Sequence, residues 1–419
     1  DKEWGYGDED PKIFAPTSFD AGQWARVARE SGMSGLILTA KHHDGFCLWP
    51  SAFTDHTVAS SSYGGDIVGA FVEAARAEGL RVGLYLSPWD RNHPEYGRDA
   101  YVEYFRAQWK ELIEAYGPLF EIWFDGANGG DGFYGGARET RRIDRTTYYD
   151  WPTTNALVQS WNPGVIIFSD AGPGCRWVGN ERGFSSETSW QTINLDGMYP
   201  GVSHDHLAQG DRGGTHWVGV EVDVSIRPGW FWHESQNAQV KTPEQLVEIW
   251  YASVGRGANL LLNVPPDRRG LFHERDVESL RGMRAILDAT FDEDLLSGGT
   301  VHASNVRGGD QAYGASHLLD GDRRTFWATD DGVTTGSVEV ILPEARTFDV
   351  IRVREGIELG QRVESFGVDA WTDGGWHEVA RGTTIGPCRV VRFEAVTTDR
   401  VRLRIESSMA CPVISELGA

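Results

Sequence analysis

The chain has 419 residues, 40% hydrophobic and 24% charged, which suits a folded globular protein and excludes disordered, collagen-like and coiled-coil classes. A formal net charge of −22 argues against nucleic acid or another phosphate-rich partner, and no apolar run is long enough to span a membrane. The 17 Trp each offer a flat apolar face with one N–H donor, suited to filling a core or to lying against a sugar ring.

The sequence opens on Asp1-Lys2-Glu3-Trp4 without Met, so a preceding segment is expected to have been removed or left out. Strands are expected at Gly35–Ala40, Val82–Leu86, Phe120–Phe124, Val165–Phe168, Val218–Val224 and Leu260–Val264. Between them, helices are expected over Tyr101–Tyr116, Thr242–Val254 and Glu274–Ala289; in the first, Val102, Phe105, Trp109, Leu112, Ile113 and Tyr116 form one stripe. Alternation of this kind implies a parallel sheet, and so many units in one domain favour a barrel over an open sheet. Beyond about residue 296 the pattern changes to short alternating segments broken by Gly, Asp and Pro: Ser337–Leu342, Val350–Val353, Ser365–Ala370, Val390–Phe393 and Arg400–Ile405. The expected fold is α/β plus all-β: a (β/α)8-like TIM barrel over residues 1–292, then a β-sandwich over 293–419. Cys47, Cys175, Cys388 and Cys411 form no C-x-x-C pair; Cys388 and Cys411 either pair in an oxidising compartment or stay as two buried thiols.

Polar clusters follow four expected strands. They are His42-His43-Asp44, Trp89-Asp90, Asp125, and Asp170 with a loop carrying Arg176, Trp177, Asn180 and Glu181. In a parallel barrel these strand ends converge on one face. The run Phe120-Glu121-Ile122-Trp123-Phe124-Asp125-Gly126 is the most informative, since an apolar strand delivers a single carboxylate to its tip and a glycine-rich loop follows. Such an acid serves as a nucleophile or a proton-transfer group, and the aromatic residue before it walls a sugar pocket. No metal or cofactor is expected: adjacent residues on a strand point to opposite faces, which keeps His42 and His43 from sharing an ion, and no H-E-x-x-H occurs. A hydrogen bond to a substrate hydroxyl is the better use of these imidazoles. No G-x-S-x-G elbow supports serine chemistry, and no G-x-G-x-x-G opens a helix for a dinucleotide. Paired carboxylates fit best, because glycoside hydrolysis needs two acids flanking the scissile bond. Asp125 is the candidate nucleophile, while Glu181 and Glu187 compete for the acid/base role and spacing does not choose between them. Arg176 and Asn180 are expected to tune the proton affinity of Glu181.

Several ordered motifs carry a resemblance. Leu38-Thr39-Ala40-Lys41-His42-His43-Asp44-Gly45-Phe46, Gly83-Leu84-Tyr85-Leu86-Ser87-Pro88-Trp89-Asp90, Trp123-Phe124-Asp125-Gly126-Ala127, Glu3-Trp4-Gly5 and Val224-Ser225-Ile226-Arg227-Pro228-Gly229-Trp230 together look like family 29 glycoside hydrolases, the retaining α-L-fucosidases. The resemblance spans residue 1 to about 290. It implies that Asp125 forms a covalent fucosyl-enzyme and that His42, His43 and Trp123 contact the fucose, with Glu3 and Trp4; Trp89 joins this expected sugar-binding set. The Arg176-Trp177-Val178-Gly179-Asn180-Glu181 stretch resembles the subgroup acting on α-1,3/1,4-fucosylated, Lewis-type glycans, which implies Glu181 as acid/base with Glu187 as fallback. The family's usual first strand, bearing a Phe-x-His-Phe/Trp-Gly motif, does not appear, so the expected barrel is one strand short. Ser316-His317-Leu318-Leu319-Asp320-Gly321-Asp322 and Thr325-Phe326-Trp327-Ala328 are similar to discoidin-type, galactose-binding-like sandwiches, which buttress a barrel or bind a glycan or, near Asp320 and Asp322, calcium. The implied function is a secreted, cell-surface or periplasmic exo-α-L-fucosidase acting on fucosylated oligosaccharides or glycoconjugates. A non-catalytic fucosylated-glycan-binding protein on a degenerate barrel is the alternative from another class, and a related retaining glycosidase the third reading.

Overall fold

In the computed structural model, residues 5–126, 132–134, 136–144, 146–169, 172–198 and 202–419 are described. The first part is built from strands β1 (Gly35–Lys41), β2 (Arg81–Leu86), β3 (Glu121–Trp123), β4 (Ile166–Ser169), β5 (Cys175–Trp177), β6 (Gly219–Ser225) and β7 (Asn259–Asn263). They pair in that order as one parallel, seven-stranded sheet. The sheet curls into a half-barrel with β1 and β7 at its two edges. Helices α1 (Ala21–Glu30), α2 (Ile67–Ala77), α3 (Asp99–Tyr116), α4 (Trp151–Trp161), α5 (Pro243–Ala252) and α6 (Glu274–Phe291) are the main helices.

Local chemistry explains the boundaries. Asp20 and Asp66 cap α1 and α2 by accepting from Gln23 N and Gly69 N, and Thr242 with Gln245 forms a reciprocal capping box ahead of Pro243 on α5. The stripe expected on α3 is buried. It packs on the outward face of β3, where Phe124 lies 5.5 Å from Trp109 and 4.9 Å from Trp151 between ring centroids. Helix α1 meets the segment before α6: Gln23 exchanges two hydrogen bonds of 3.0 Å with the backbone of Phe272, and Trp24 stacks on the Phe272 ring. Strand β5 was not expected from the sequence. It has only three residues, and its central Arg176 reads as a loop residue. Buried, that guanidinium instead donates to the carbonyls of Leu207, Val218 and Trp190, joining backbone from three segments.

The second part is one antiparallel sheet. It comprises β8 (Thr300–Ala303), β9 (Gly336–Glu355), β10 (Val363–Thr372), β11 (Gly375–Gly382), β12 (Arg389–Ser408) and β13 (Val413–Gly418), with a short strand at Trp327–Ala328 beside β13. Two expected pairs of strands prove continuous: Ser337–Leu342 and Val350–Val353 both lie in β9, and Val390–Phe393 and Arg400–Ile405 both lie in β12. Their pairing shifts register between Ile341 and Arg346, which lets two arms of the sheet face one apolar core of Val338, Val340, Ile351, Val353, Leu403 and Ile405. All four cysteines are free. Asp320 accepts from Thr325 Oγ1 at 2.7 Å and contacts His317 Nδ1 at 3.0 Å, and Asp322 pairs with Arg324, so both carboxylates have local partners. Among the described residues, no helix is long and apolar enough to cross a membrane.

The two parts share a polar seam. Ser189 N donates to Thr384 Oγ1 at 2.9 Å, Gln191 N donates to Gln361 Oε1 at 2.8 Å, and Gln361 Nε2 returns a 2.8 Å bond to Ser189 O. Arg389 Nη1 reaches Glu187 O at 2.7 Å. Beside these bonds, Val350, Cys388 and Val390 pack against Trp250, Tyr251 and Phe291.

Candidate active site

The strand alternation along β3 places Glu121, Trp123 and then Asp125 on the barrel's inner face, while Ile122 and Phe124 are buried on the outer one, so the aromatic immediately before the acid packs against helices and does not wall the pocket as expected. Asp125 stands at the open end with its side chain 19% exposed. Tyr85, two residues before Ser87 on the inner face of β2, donates from its hydroxyl to Asp125 Oδ2 at 2.6 Å. Burial and the negative charge of Asp125 push the Tyr85 hydroxyl well above its ordinary range, so it remains a donor.

The pairing of β1 shifts register between Thr39 and Lys41, the chain then leaves the strand through a tight turn closed by Gly45 N on His42 O, and the rings of His42 and His43 come together. Their ring centroids lie 3.9 Å apart, which corrects the expectation of opposite faces. The turn needs Gly45, whose φ of +80° is left-handed and where a Cβ would sit 2.4 Å from Asp90 Oδ1. The tautomer of His43 follows from its partners. Ser87 Oγ donates its one proton to Trp89 O at 2.7 Å, so at the 2.7 Å contact with His43 Nδ1 it accepts and Nδ1 carries the hydrogen. Nε2 is then an unprotonated acceptor, 3.6 Å from Asp125 Oδ2. Burial lowers both imidazoles to about 3; for His42 the neighbouring His43 adds to the effect, and for His43 Arg91 does. They are neutral at physiological pH. Trp89 packs on the His43 ring at 4.6 Å, and Phe231 meets His42 edge-on at 5.0 Å.

Behind this surface, Lys41 Nζ lies 2.9 Å from both Asp90 Oδ2 and Gln108 Oε1, with Lys41 and Asp90 almost fully buried. This pair anchors the end of β1 to the loop after β2. Asp44, partly buried, has its carboxyl raised to about 6, chiefly by desolvation.

On the other wall, Trp123 stacks on Phe168 at 4.0 Å with 6° between the planes, and its Nε1 donates to Glu221 Oε1 at 3.0 Å. Trp177 Nε1 donates to Asp223 Oδ1 at 2.8 Å. Glu181, exposed on the loop after β5, has its carboxyl raised, first by desolvation from the surrounding protein and then by the charge of Asp125, against a hydrogen bond with Trp230 that lowers it. Asp125 and Glu181 are thus within electrostatic reach of one another. Glu187 is elsewhere: its side chain is 73% exposed and pairs with Arg256 near the domain seam. Arg176 and Asn180 do not tune Glu181 as expected. Arg176 is committed to backbone carbonyls, and Asn180 holds its own turn through Arg182 N and Phe184 O. Glu3 and Trp4 lie outside the described residues, as does Asp170.

The sequence reading missed Tyr85, Glu221 and Asp223. Tyr85 sits inside an apolar run and looks like core; its i, i+2 relation to Ser87 was the available signal. As for cations, His42, His43 and Asp125 bring ligand atoms within 4.8 Å of one another, and Glu121, Cys175 and Glu221 do the same deeper in the barrel. Chemically, the open end joins an ionisable carboxylate with a hydroxyl donor, a neutral imidazole acceptor, an aromatic wall and a second carboxyl whose proton affinity is raised. That set can bind a polyol ring and carry out acid–base and nucleophilic steps upon it.

Comparison with known proteins gives the same picture over nearly the whole chain. A family profile described as alpha-L-fucosidase matches residues 1–290, and one described as F5/8 type C domain matches residues 300–417. The chain is 39% identical over 427 residues to alpha-L-fucosidase 1 of Arabidopsis thaliana, covering 100% of this chain and 82% of that protein. It superposes on the crystal structure of SpGH29 with a TM-score of 0.91 at 37% identity, covering 100% of this chain and 91% of the other. A Ruminococcus gnavus GH29 fucosidase solved in complex with fucose aligns with a TM-score of 0.87 at 31% identity, covering 100% and 89%.

Proposed function

The chain belongs to the α-L-fucosidase family of glycoside hydrolases, with a C-terminal F5/8 type C domain, and on that premise we propose that it is a retaining exo-enzyme releasing fucose from α-1,3/1,4-fucosylated, Lewis-type glycans. The observation that carries the assignment of roles is the electrostatic pairing of Asp125 with Glu181, against the outward-facing Glu187.

Asp125, ionised, attacks the anomeric carbon as the glycosidic C–O bond breaks, and a fucosyl ester forms on its carboxylate. Glu181 holds its proton because desolvation and the charge of Asp125 both disfavour its anion, and it passes that proton to the departing oxygen. Once the ester has formed, Asp125 no longer carries the charge that raised Glu181. Glu181, now ionised, takes a proton from water, which attacks the same carbon and frees Asp125. His43 Nε2 accepts from a fucose hydroxyl, His42 lies beside it, and Trp123 forms the apolar wall. The preference for α-1,3/1,4 linkages rests on the likeness of the 176–181 stretch to that subgroup. No observation among the described residues favours the binding-protein alternative.

Two measurements test this reading. Proton NMR of the first-formed fucose should show the α-anomer; the β-anomer would exclude a double displacement. Asp125→Ala should abolish hydrolysis of Lewis-type trisaccharides and aryl fucosides alike, with azide restoring turnover. An Asp125→Ala enzyme that keeps its rate moves the nucleophile elsewhere.

A further inference from the structure

Deeper in the barrel, on the same face of β3 as Asp125, lies a pair of acids that the chemistry above does not use. Glu121 on β3 and Glu221 on β6 are 2% and 1% exposed. Strands β4 and β5 separate β3 from β6 in the sheet, so these side chains meet across the barrel interior. A carboxylate oxygen of each lies within 4.8 Å of the other and of Cys175 Sγ. Two carboxyls this close in a dry interior do not both stay ionised.

The donors around them are unevenly shared. Glu221 accepts from Trp123 Nε1 at 3.0 Å on one oxygen and from Asn259 Nδ2 at 2.6 Å on the other. No N–H or hydroxyl donor among the described residues reaches the buried Glu121 Oε1. An anion at Glu121 would lack compensation there, whereas a neutral acid needs no donor and can itself donate to Glu221. Burial and then the charge of Glu221 hold the Glu121 carboxyl well above the ordinary range, with Arg81 opposing. Cys175 and Asp223 are the other titratable groups coupled to the pair.

We propose that Glu121 and Glu221 share a single proton, Glu121 as the acid and Glu221 as the carboxylate, and that the pair is a positioning device fixing the indole of Trp123 in the sugar pocket. Phe168 sets the plane of that ring, and the bond to Glu221 sets its rotation within the plane. Tyr85, which holds Asp125, lies 5.3 Å from the same ring between centroids, so a displaced indole disturbs the nucleophile's support. The sharing of the proton stands by itself; the positioning half rests on the assignment of Trp123 to fucose made above.

The experiment uses the full chain. At neutral pH its infrared spectrum should contain a protonated-carboxyl C=O component that shifts on 13C-glutamate labelling and is lost in Glu121→Gln but retained in Glu181→Gln. The KM for an aryl fucoside should rise about tenfold toward alkaline pH as the pair becomes a dianion and releases its hold on the indole. Glu121→Leu should show a KM about tenfold higher already at neutral pH, and Glu121→Gln should restore it and remove the alkaline rise, because its amide donates as the acid does. Should either Glu121 variant fail to fold, Glu221→Gln serves: the labelled band persists while KM is raised at every pH. Absence of the band from the wild type, or a bound divalent metal lost on Cys175→Ser, overturns the shared proton. A band accompanied by identical KM profiles in all variants overturns the positioning role. A wild type that shows the band but does not hydrolyse fucosides breaks the earlier assignment instead.

Discussion

Tyr85→Phe isolates one interaction in the site. The hydroxyl it removes lies 2.6 Å from Asp125 Oδ2, and Tyr85 is 7% exposed. Phe keeps the ring between Trp123 and His42, so the perturbation is the lost donor without a large cavity. A hydrogen bond to a charged group contributes about 1.5–3 kcal/mol. Two effects oppose each other. The bond withdraws charge from the proposed nucleophile, so its loss sharpens nucleophilicity; it also holds the carboxylate in line with the anomeric carbon. The partial burial of Asp125 decides between them: its side chain is 19% exposed, so water replaces the missing donor poorly and orientation is lost. The expected outcome is a fall in kcat/KM of about 10- to 150-fold on an aryl fucoside, with the melting temperature nearly unchanged. Stopped-flow release of the aryl group locates the loss in the fucosylation step. A variant within twofold of wild type, or a faster one, would refute the claim that this bond positions Asp125.

Three further outcomes follow from the geometry. Glu181 donates only while protonated and its carboxyl is raised, so turnover of natural linkages should fall as pH rises through that raised value. Glu181→Gln should lose this limb and about 10²- to 10⁴-fold of activity on oligosaccharides while sparing activated aryl fucosides; equal losses on both would move the acid elsewhere. Lys41→Met should destabilise the barrel by about 3–5 kcal/mol in urea unfolding, because it leaves Asp90 charged and buried, and adding Asp90→Asn should recover part of the loss. His42 and His43, at about 3 in the fold, sit below the 6.5 of a free imidazole; their contribution to stability is complete above that value and is lost as pH falls toward 3. Asp44, raised to about 6, Glu355, raised to about 7, Asp223, raised to about 8, and Glu121, raised to about 9, act in the opposite sense as pH falls toward their ordinary values, so the histidine effect is read by difference. In urea unfolding, the stability lead of wild type over a His42→Gln, His43→Gln double variant should shrink between about pH 6.5 and 4, and a lead that does not change with pH would contradict this assignment.

The parts legible in the sequence are those where one physical rule dominates. The apolar run ending in one acid marked the strand that delivers Asp125, and the helical stripe of α3 marked the layer that covers its outer face. Competing uses of one residue type defeated the reading elsewhere. Arg176 and Asn180 look like tuning groups beside Glu181, but an arginine also satisfies stray carbonyls and an asparagine also makes turns, and only coordinates tell these apart. Tyr85 is silent because an inward hydroxyl and an outward core ring have the same letter. Glu121 and Glu221 lie in strands 100 positions apart, and only the curl of the sheet makes them neighbours. His42 and His43 escaped the alternation rule because the chain had already left the strand.

The bonds around Ser189 and Gln191 have a mechanical meaning. The segment that leaves Glu181 runs through Glu187, Ser189 and Gln191, and its far end is laced to Gln361, Thr384 and Arg389 of the second domain. The sandwich therefore acts as a fixed abutment for the loop that carries the proton donor, whatever else it binds. Severing the chain after α6 would remove three side chains that pin this span, and the loop would have to find new anchors or wander. A grafted partner domain would serve only if it presented a Gln, a Thr and an Arg at the same points along the joint.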